Sequence, residues 1–292
     1  TLRASNRESD GLYLIGSNAT LTGKTIIETS GKAGAGVFLT NKGVSTLSIG
    51  DNLVVNTKDG MGIAAEITSA GEGSLGLINS IVVGENAIIK TYGQGFNGGH
   101  KDYTPYSKAR GYGVYAGSYY YLNNQRGLHH YTYSALIKLG HHAHVETFGN
   151  DDHAVYANKT GLIETGDITA VTHGDSASGL IAEDGVSRLP AAGSPIKVMS
   201  SPPWPITPID TNEHGERVFD GGRIYLTRDV NVSVSGTNSY AFHSTGKNAY
   251  IGSGSIDGPI SEGVYTVYGD MLANRKGEID LRMIQGSKFS GA

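Results

Sequence analysis

LIKLGHHAHVETFGNDDHAVYA, residues 136–157, reads as a short strand, a polar turn, an alternating strand, a Thr turn and a small apolar strand. Val145 and Thr147 point one way along it; His144, Glu146 and Phe148 point the other. A period of two is the signature of an extended chain with one buried face. The following segment, IETGDITAVTHGDSASGLIA (163–182), repeats the design, with Ile168 and Ala170 alternating with Thr169. Outward from this pair the same pattern returns in LSIGDNLVVNTKDGMGIAAE (47–66) and IVVGENAIIKTYGQG (81–95). Weaker copies are LTGKTIIETSGKAGAGVFL (21–39) and YLTRDVNVSVSGTNSYAFHS (225–244).

Thr29, Thr57, Thr91, Thr147 and Thr172 mark equivalent places, separated by 28, 34, 56 and 25 residues. The value 56 is twice 28, which suggests a skipped marker and a period of about 28, within the range of solenoid repeats. A lone coil cannot bury its inward face, but stacked coils pair their backbones about 4.8 Å apart. The expected fold is therefore all-β: a right-handed parallel β-helix, one solenoid over residues 1–292 interrupted by two loop insertions. It should hold roughly ten coils in a rod on the order of 50 Å long. Gly31, Gly93, Gly149, Gly174 and Gly236 follow the marker strands and are expected to hold left-handed or open backbone angles. Only Met271 to Lys276 suggests a helical turn.

Composition removes the main competitors. Gly is 43 of 292 residues but not every third, so the chain is no collagen. Only 17% of residues are charged and no heptads appear, which excludes a coiled coil. No apolar run approaches the ~18 residues of a membrane-spanning helix. A net charge of -4 and a pI near 6.2 argue against a nucleic-acid surface. Without Cys there are no disulfides, thiolate metal sites or Cys nucleophiles. The chain opens on Thr1 and stops in mid-pattern at Ala292, as a trimmed piece of a longer protein would.

Two stretches break the period, at about 95–134 and 187–222. Long loops on a regular solenoid often carry function. The first, around the single rung GYGVYAG, holds nine of the 17 Tyr, and residues 100–134 carry four cations against one acid, Asp102. Its candidate binding residues are Tyr103, Tyr106, Lys108, Arg110, Tyr119, Tyr120, Tyr121, Arg126, His129, His130 and Tyr131. Tyr, Arg and His suit adaptable recognition: aromatic faces stack on sugar rings, and cations hold sulfate or carboxylate. The competing reading is a loop that packs its own Tyr against the rod. The second insertion holds six of the eight Pro and the only Trp, Trp204, a further binding candidate.

The runs IGDNLVVNTKDGMGIAA and VGENAIIKTYGQG resemble the passenger domains of bacterial autotransporters, the pertactin and diffuse-adherence adhesin group. So does the tail GEIDLRMIQGSKFSGA (277–292), with Leu281, Met283, Gly286, Ser287, Phe289 and Gly291 in that family's rung-ending pattern. The resemblance implies export to the cell surface, a C-terminal outer-membrane barrel beyond this chain, and exposure outside the cell or release from it. It also implies adhesion, biofilm formation and virulence as functions. Absence of Cys agrees with a chain that must thread through the outer membrane.

Other chemistry is weaker. His142 and His144 would share a strand face and could approach one ion, but no third ligand is evident, so no metal and no cofactor is expected. Asn150-Asp151-Asp152-His153, with His173-Gly174 about a coil later and Arg223-Ile224 beyond, resembles fragments of the polygalacturonase pattern, whose paired carboxylates supply acid and base. The Lys after Arg-Ile is Tyr225 here, and the Asn-Thr-Asp element is missing, so a turn is the better reading. Gly174-Asp-Ser-Ala-Ser178 resembles a serine-protease nucleophile loop but has Ala177 where Gly is required. The expectation is a non-enzymatic surface adhesin. Its partners would be a host glycan or matrix protein, or the same protein on another cell, and not nucleic acid. The alternatives are a polysaccharide-degrading β-helix enzyme and a passive stalk.

Overall fold

The computed structural model describes residues 1–6, 9–40, 45–67, 79–93, 111–118, 135–158, 161–183, 185–186, 210–211, 217–219, 221–246, 248–256 and 258–291. Every regular element among them is a strand. No helix among them is long and apolar enough to cross a membrane.

Three parallel sheets run the length of the molecule. Sheet A stacks β1 (Leu2–Ala4), β4 (Ile26–Thr29), β7 (Val54–Thr57), β10 (Ile88–Thr91), β13 (Ala143–Thr147), β16 (Ile168–Thr172), β22 (Val230–Val234), β25 (Tyr265–Tyr268) and β28 (Lys288–Ser290). Sheet B stacks β2 (Leu12–Ile15), β5 (Val37–Thr40), β8 (Ile63–Ile67), β11 (Val114–Ser118), β14 (Val155–Asn158), β17 (Leu180–Glu183), β23 (Tyr240–Thr245) and β26 (Asp270–Asn274). Sheet C stacks β3 (Asn18–Leu21), β6 (Ser45–Ile49), β9 (Asn79–Val83), β12 (Ala135–Leu139), β15 (Gly161–Thr165), β21 (Arg223–Leu226), β24 (Tyr250–Ser253) and β27 (Glu278–Asp280). The chain visits A, B and C in turn, giving a right-handed parallel β-helix. A small antiparallel sheet joins β18 (Gly185–Val186), just before the second insertion, to β19 (Asp210–Thr211) and β20 (Arg217–Phe219) within it.

Among the described residues eight coils are complete and β28 opens a ninth, fewer than the spacing suggested. Eight steps give a rod of about 38 Å. No marker is skipped between Thr91 and Thr147: the two pair directly, so 56 residues make one coil. Sheet pairing fixes where a strand must return, not how much chain it takes to return. The rung GYGVYAG contributes β11, which pairs with β8 and β14. Residues 271–274 are strand, not helix, because β26 is held extended by β23. Arg275 and Lys276 then turn the chain with φ of 49° and 72°.

The Thr markers have a definite task. All five are buried on the inward face of sheet A. Each donates its hydroxyl to the backbone carbonyl that closes the turn into sheet B: Thr29 to Gly34 (3.0 Å), Thr57 to Gly60 (2.6 Å), Thr91 to Gly111, Thr147 to Asp152 (2.6 Å) and Thr172 to Ala177 (2.8 Å). A buried hydroxyl needs such a partner, and so does a buried carbonyl. One side chain thus satisfies two groups per coil.

The glycines after these strands serve mainly close approach. Of the five expected to hold unusual angles, only Gly93 has a left-handed φ, +56°. A Cβ on Gly31, Gly174 or Gly236 would strike the carbonyl oxygen of Asn6, Gly149 or Gly174 in the coil beneath.

A second glycine ladder enters sheet B. A Cβ on Gly36, Gly62, Gly113 or Gly179 would collide with the side chain of Val55, Ile89, Val145 or Val232 from the next coil of sheet A. In the fifth coil Ala154 takes the glycine's place. The sheet A residue of the next coil is there Ala170, in a ladder that otherwise reads Leu2, Ile27, Val55, Ile89, Val145, Val232, Val267 and Phe289. Volume lost on one rung is returned on the other. Ala170→Val should therefore cost about 1–3 kcal/mol by overpacking. Adding Ala154→Gly should recover most of it, a coupling read from urea unfolding of the two single variants and the double. A neutral Ala170→Val would refute this packing rule.

Candidate functional site

Tyr103, Tyr106, Lys108, Arg110, Tyr119, Tyr120, Tyr121, Arg126, His129, His130, Tyr131 and Trp204 all lie outside the described residues. Two other tyrosines of the same rich stretch are described, and both pack on the rod. Tyr115 is buried on the outer face of sheet B, with ring centroids 5.7 Å from Tyr112 and 5.3 Å from Tyr156. Tyr112 stacks on His153 at 5.4 Å. With Phe38, Ala64 and Ile181 they form an apolar cluster distinct from the interior core. The outer face of sheet C also has a buried patch. Leu136 and Leu162 pack with Ile256, whose N–H donates to Glu164 at 2.8 Å.

The outer face of sheet A carries no such buried cluster among the described residues and meets solvent, as Tyr13 of sheet B and Val82 of sheet C do locally. Along its middle row the charges alternate between coils. Arg3 pairs with Glu28 at 2.7 Å, and Lys90 with Glu146 at 2.7 Å across the β10–β13 step. Opposite charges on facing strands stabilise a ladder, where like charges would oppose it.

At the edge of this face runs the row directly after the markers: Ser30, Lys58, Tyr92, Phe148 and His173. Tyr92 stacks on Phe148 at 5.0 Å and 9°, and Phe148 stacks on His173 at 4.5 Å and 15°. Tyr92 and Phe148 remain 38% and 37% exposed, although each covers its neighbour. Glu146 underpins the stack, accepting from His173 Nε2 at 3.0 Å and from Lys90. Burial alone would raise the Glu146 pKa, but the hydrogen bonds from Lys90, His173 and His144 outweigh it and hold the group at about 2. It is therefore a carboxylate at any physiological pH.

Beside the stack, over the first four coils, lies a groove of about 470 Å³. Tyr92 stands at one end of it, Arg3, Glu28 and Asn56 line it, and Lys58 and Ser30 complete the border.

The acid–base candidates are scattered. The Asp152 carboxylate is buried and accepts the Gly111 N–H at 2.6 Å. Asp151 sits exposed in the turn with φ 58°. His173 is engaged by Glu146, and Arg223 belongs to sheet C. His153 Nδ1 accepts the Ser178 N–H at 2.9 Å, a contact between coils. The Asn-Asp-Asp-His string is thus a turn and a coil-to-coil tie. Ser176 occupies the equivalent turn one coil later with φ 56°.

His142 and His144 do not share a strand face as expected. β13 begins at Ala143, and His142 lies in the preceding turn with φ 59°. His141 and His142 approach Asp167 at 2.9 and 3.7 Å, while His144 turns to Glu146 at 3.5 Å. Among the described residues no group of three His, Asp or Glu side chains converges as a metal site.

No family model, curated protein or solved structure matches the chain.

Proposed function

We propose that this chain is the rod of a surface-exposed bacterial adhesin, of the autotransporter passenger kind its repeats resemble. Its partners are a host glycan or matrix protein, or a second copy on a neighbouring cell. The supporting observation is the contrast between the three faces. Sheets B and C carry buried apolar clusters on their outsides, with one exposed ring, Tyr13, stacked on Phe38 at the end of sheet B, whereas sheet A presents a run of three stacked, exposed rings. Exposed aromatic rings, held rigid by neighbours, lose little side-chain freedom on binding and mark contact surfaces. Many weak contacts along a rod become strong when a cell displays many copies.

Protein-coated beads test this on host-cell monolayers, on matrix-protein films and on one another. Capture or clumping well above that of albumin-coated beads is the expected result. Beads that bind nothing would favour a passive stalk. Release of reducing ends from polygalacturonate, abolished by Asp151→Asn, would favour an enzyme instead.

A further inference from the structure

We infer that the groove beside Tyr92 is a binding site for an acidic oligosaccharide, which rests on the adhesive reading and names its ligand class. Phe148 covers one face of the Tyr92 ring, and the groove lies on the other side, over the earlier coils. Those coils place Lys58 and Ser30 in the row where later coils place rings. The step from bulky to slender side chains opens the groove and leaves a flat aromatic wall at its end. An aromatic face is complementary to the C–H face of a pyranose ring. The long wall offers the hydrogen-bonding groups that sugar hydroxyls need: the Asn56 amide and the Arg3–Glu28 pair.

Charge selects the acidic class. Two cations, Arg3 and Lys58, line the groove against one carboxylate, Glu28, in a chain of net charge -4. Glu28 is already engaged by Arg3 Nε, and the Asp59 carboxylate near Lys58 is shared with Lys32, so exposed Lys58 is placed to meet a ligand carboxylate or sulfate. A peptide strand fits less well. β4, β7 and β10 are paired on both sides within sheet A, so the only open backbone row bordering the groove is that of the end strand β1, at the opposite end from Tyr92. The groove crosses three coil steps, about 14 Å, a length suited to an oligosaccharide rather than a single ring.

The test is calorimetric titration of the folded chain with hyaluronan and chondroitin sulfate hexasaccharides, with maltohexaose as the neutral probe. At least one acidic hexamer should bind, and maltohexaose should bind at least ten-fold more weakly. Tyr92→Ala and Lys58→Glu should each weaken the acidic hexamer at least ten-fold. Tyr268→Ala, at the far end of sheet A, should stay within two-fold. Unchanged circular dichroism and melting would show that each variant folds. No saturable binding of either acidic hexamer would overturn the site, as would binding that ignores Tyr92→Ala and Lys58→Glu. Failure of the adhesive reading is separable. Beads captured equally by wild type and both variants remove the groove and leave adhesion. Hexasaccharide binding by a protein whose beads capture nothing leaves the groove and removes adhesion.

Discussion

Phe242→Ala is expected to destabilise the rod by about 3–5 kcal/mol, the usual cost of removing a fully buried aromatic ring. Phe242 has no exposed surface. It stands on the inward face of sheet B, paired with Leu180 of the coil before and Met271 of the coil after. In a solenoid the cavity would open between coils as well as within one, so little can collapse into it. Urea unfolding reads the effect as a lower midpoint. Tyr268→Ala, at a position 50% exposed, should stay within about 0.5 kcal/mol. A Phe242→Ala cost below about 1 kcal/mol would mean that the ring is not in the core.

The second large effect is loss of stability at high pH. Burial, then the charge of Glu183 and the nearby Tyr112 and Tyr115, pushes the Tyr156 phenol well above its ordinary pKa of 10.0. Its hydroxyl donates to Glu183 and accepts from Asn158 at 3.0 Å. Tyr265 is raised as well, by burial above all, against the opposing hydrogen bond with Ser253. Below pH 10 folded and unfolded chains both keep these protons. Above it the unfolded chain releases them first, so the folded state is disfavoured increasingly as pH rises towards the folded pKa. The urea midpoint should fall steeply above about pH 10, and more gently in Tyr156→Phe. Glu146 acts at the other end. Its contribution is fully present above the ordinary value of 4.5 and is lost as pH falls towards about 2, a loss that Glu146→Gln should lack. Equal slopes in wild type and Tyr156→Phe would contradict the alkaline account.

The sheets were legible in the sequence because burial writes a period of two into it. Val145 and Thr147 face in, while His144 and Glu146 face out, as that alternation predicts. The Thr markers align with one another through β4, β7, β10, β13 and β16. Coil number was not legible, because spacing in the chain says nothing about an excursion that leaves and rejoins the same register. MLANRK, residues 271–276, contains good helix formers, but pairing with β23 overrides that local preference. The proposed contact face was hidden for a related reason. Tyr92, Phe148 and His173 are separated by 56 and 25 residues and look unrelated until their coils are stacked. A row read as "the residue after each marker Thr" would have revealed them.

In the proposed adhesin, the open face of sheet A is where this chain meets its partner. Bead capture by the triple variant Tyr92→Ala, Phe148→Ala, His173→Ala tests it most directly, since all three side chains are exposed and the fold should tolerate their loss. Capture reduced at least ten-fold, with melting unchanged, is the predicted result. Capture equal to that of the unaltered chain would place the contact elsewhere.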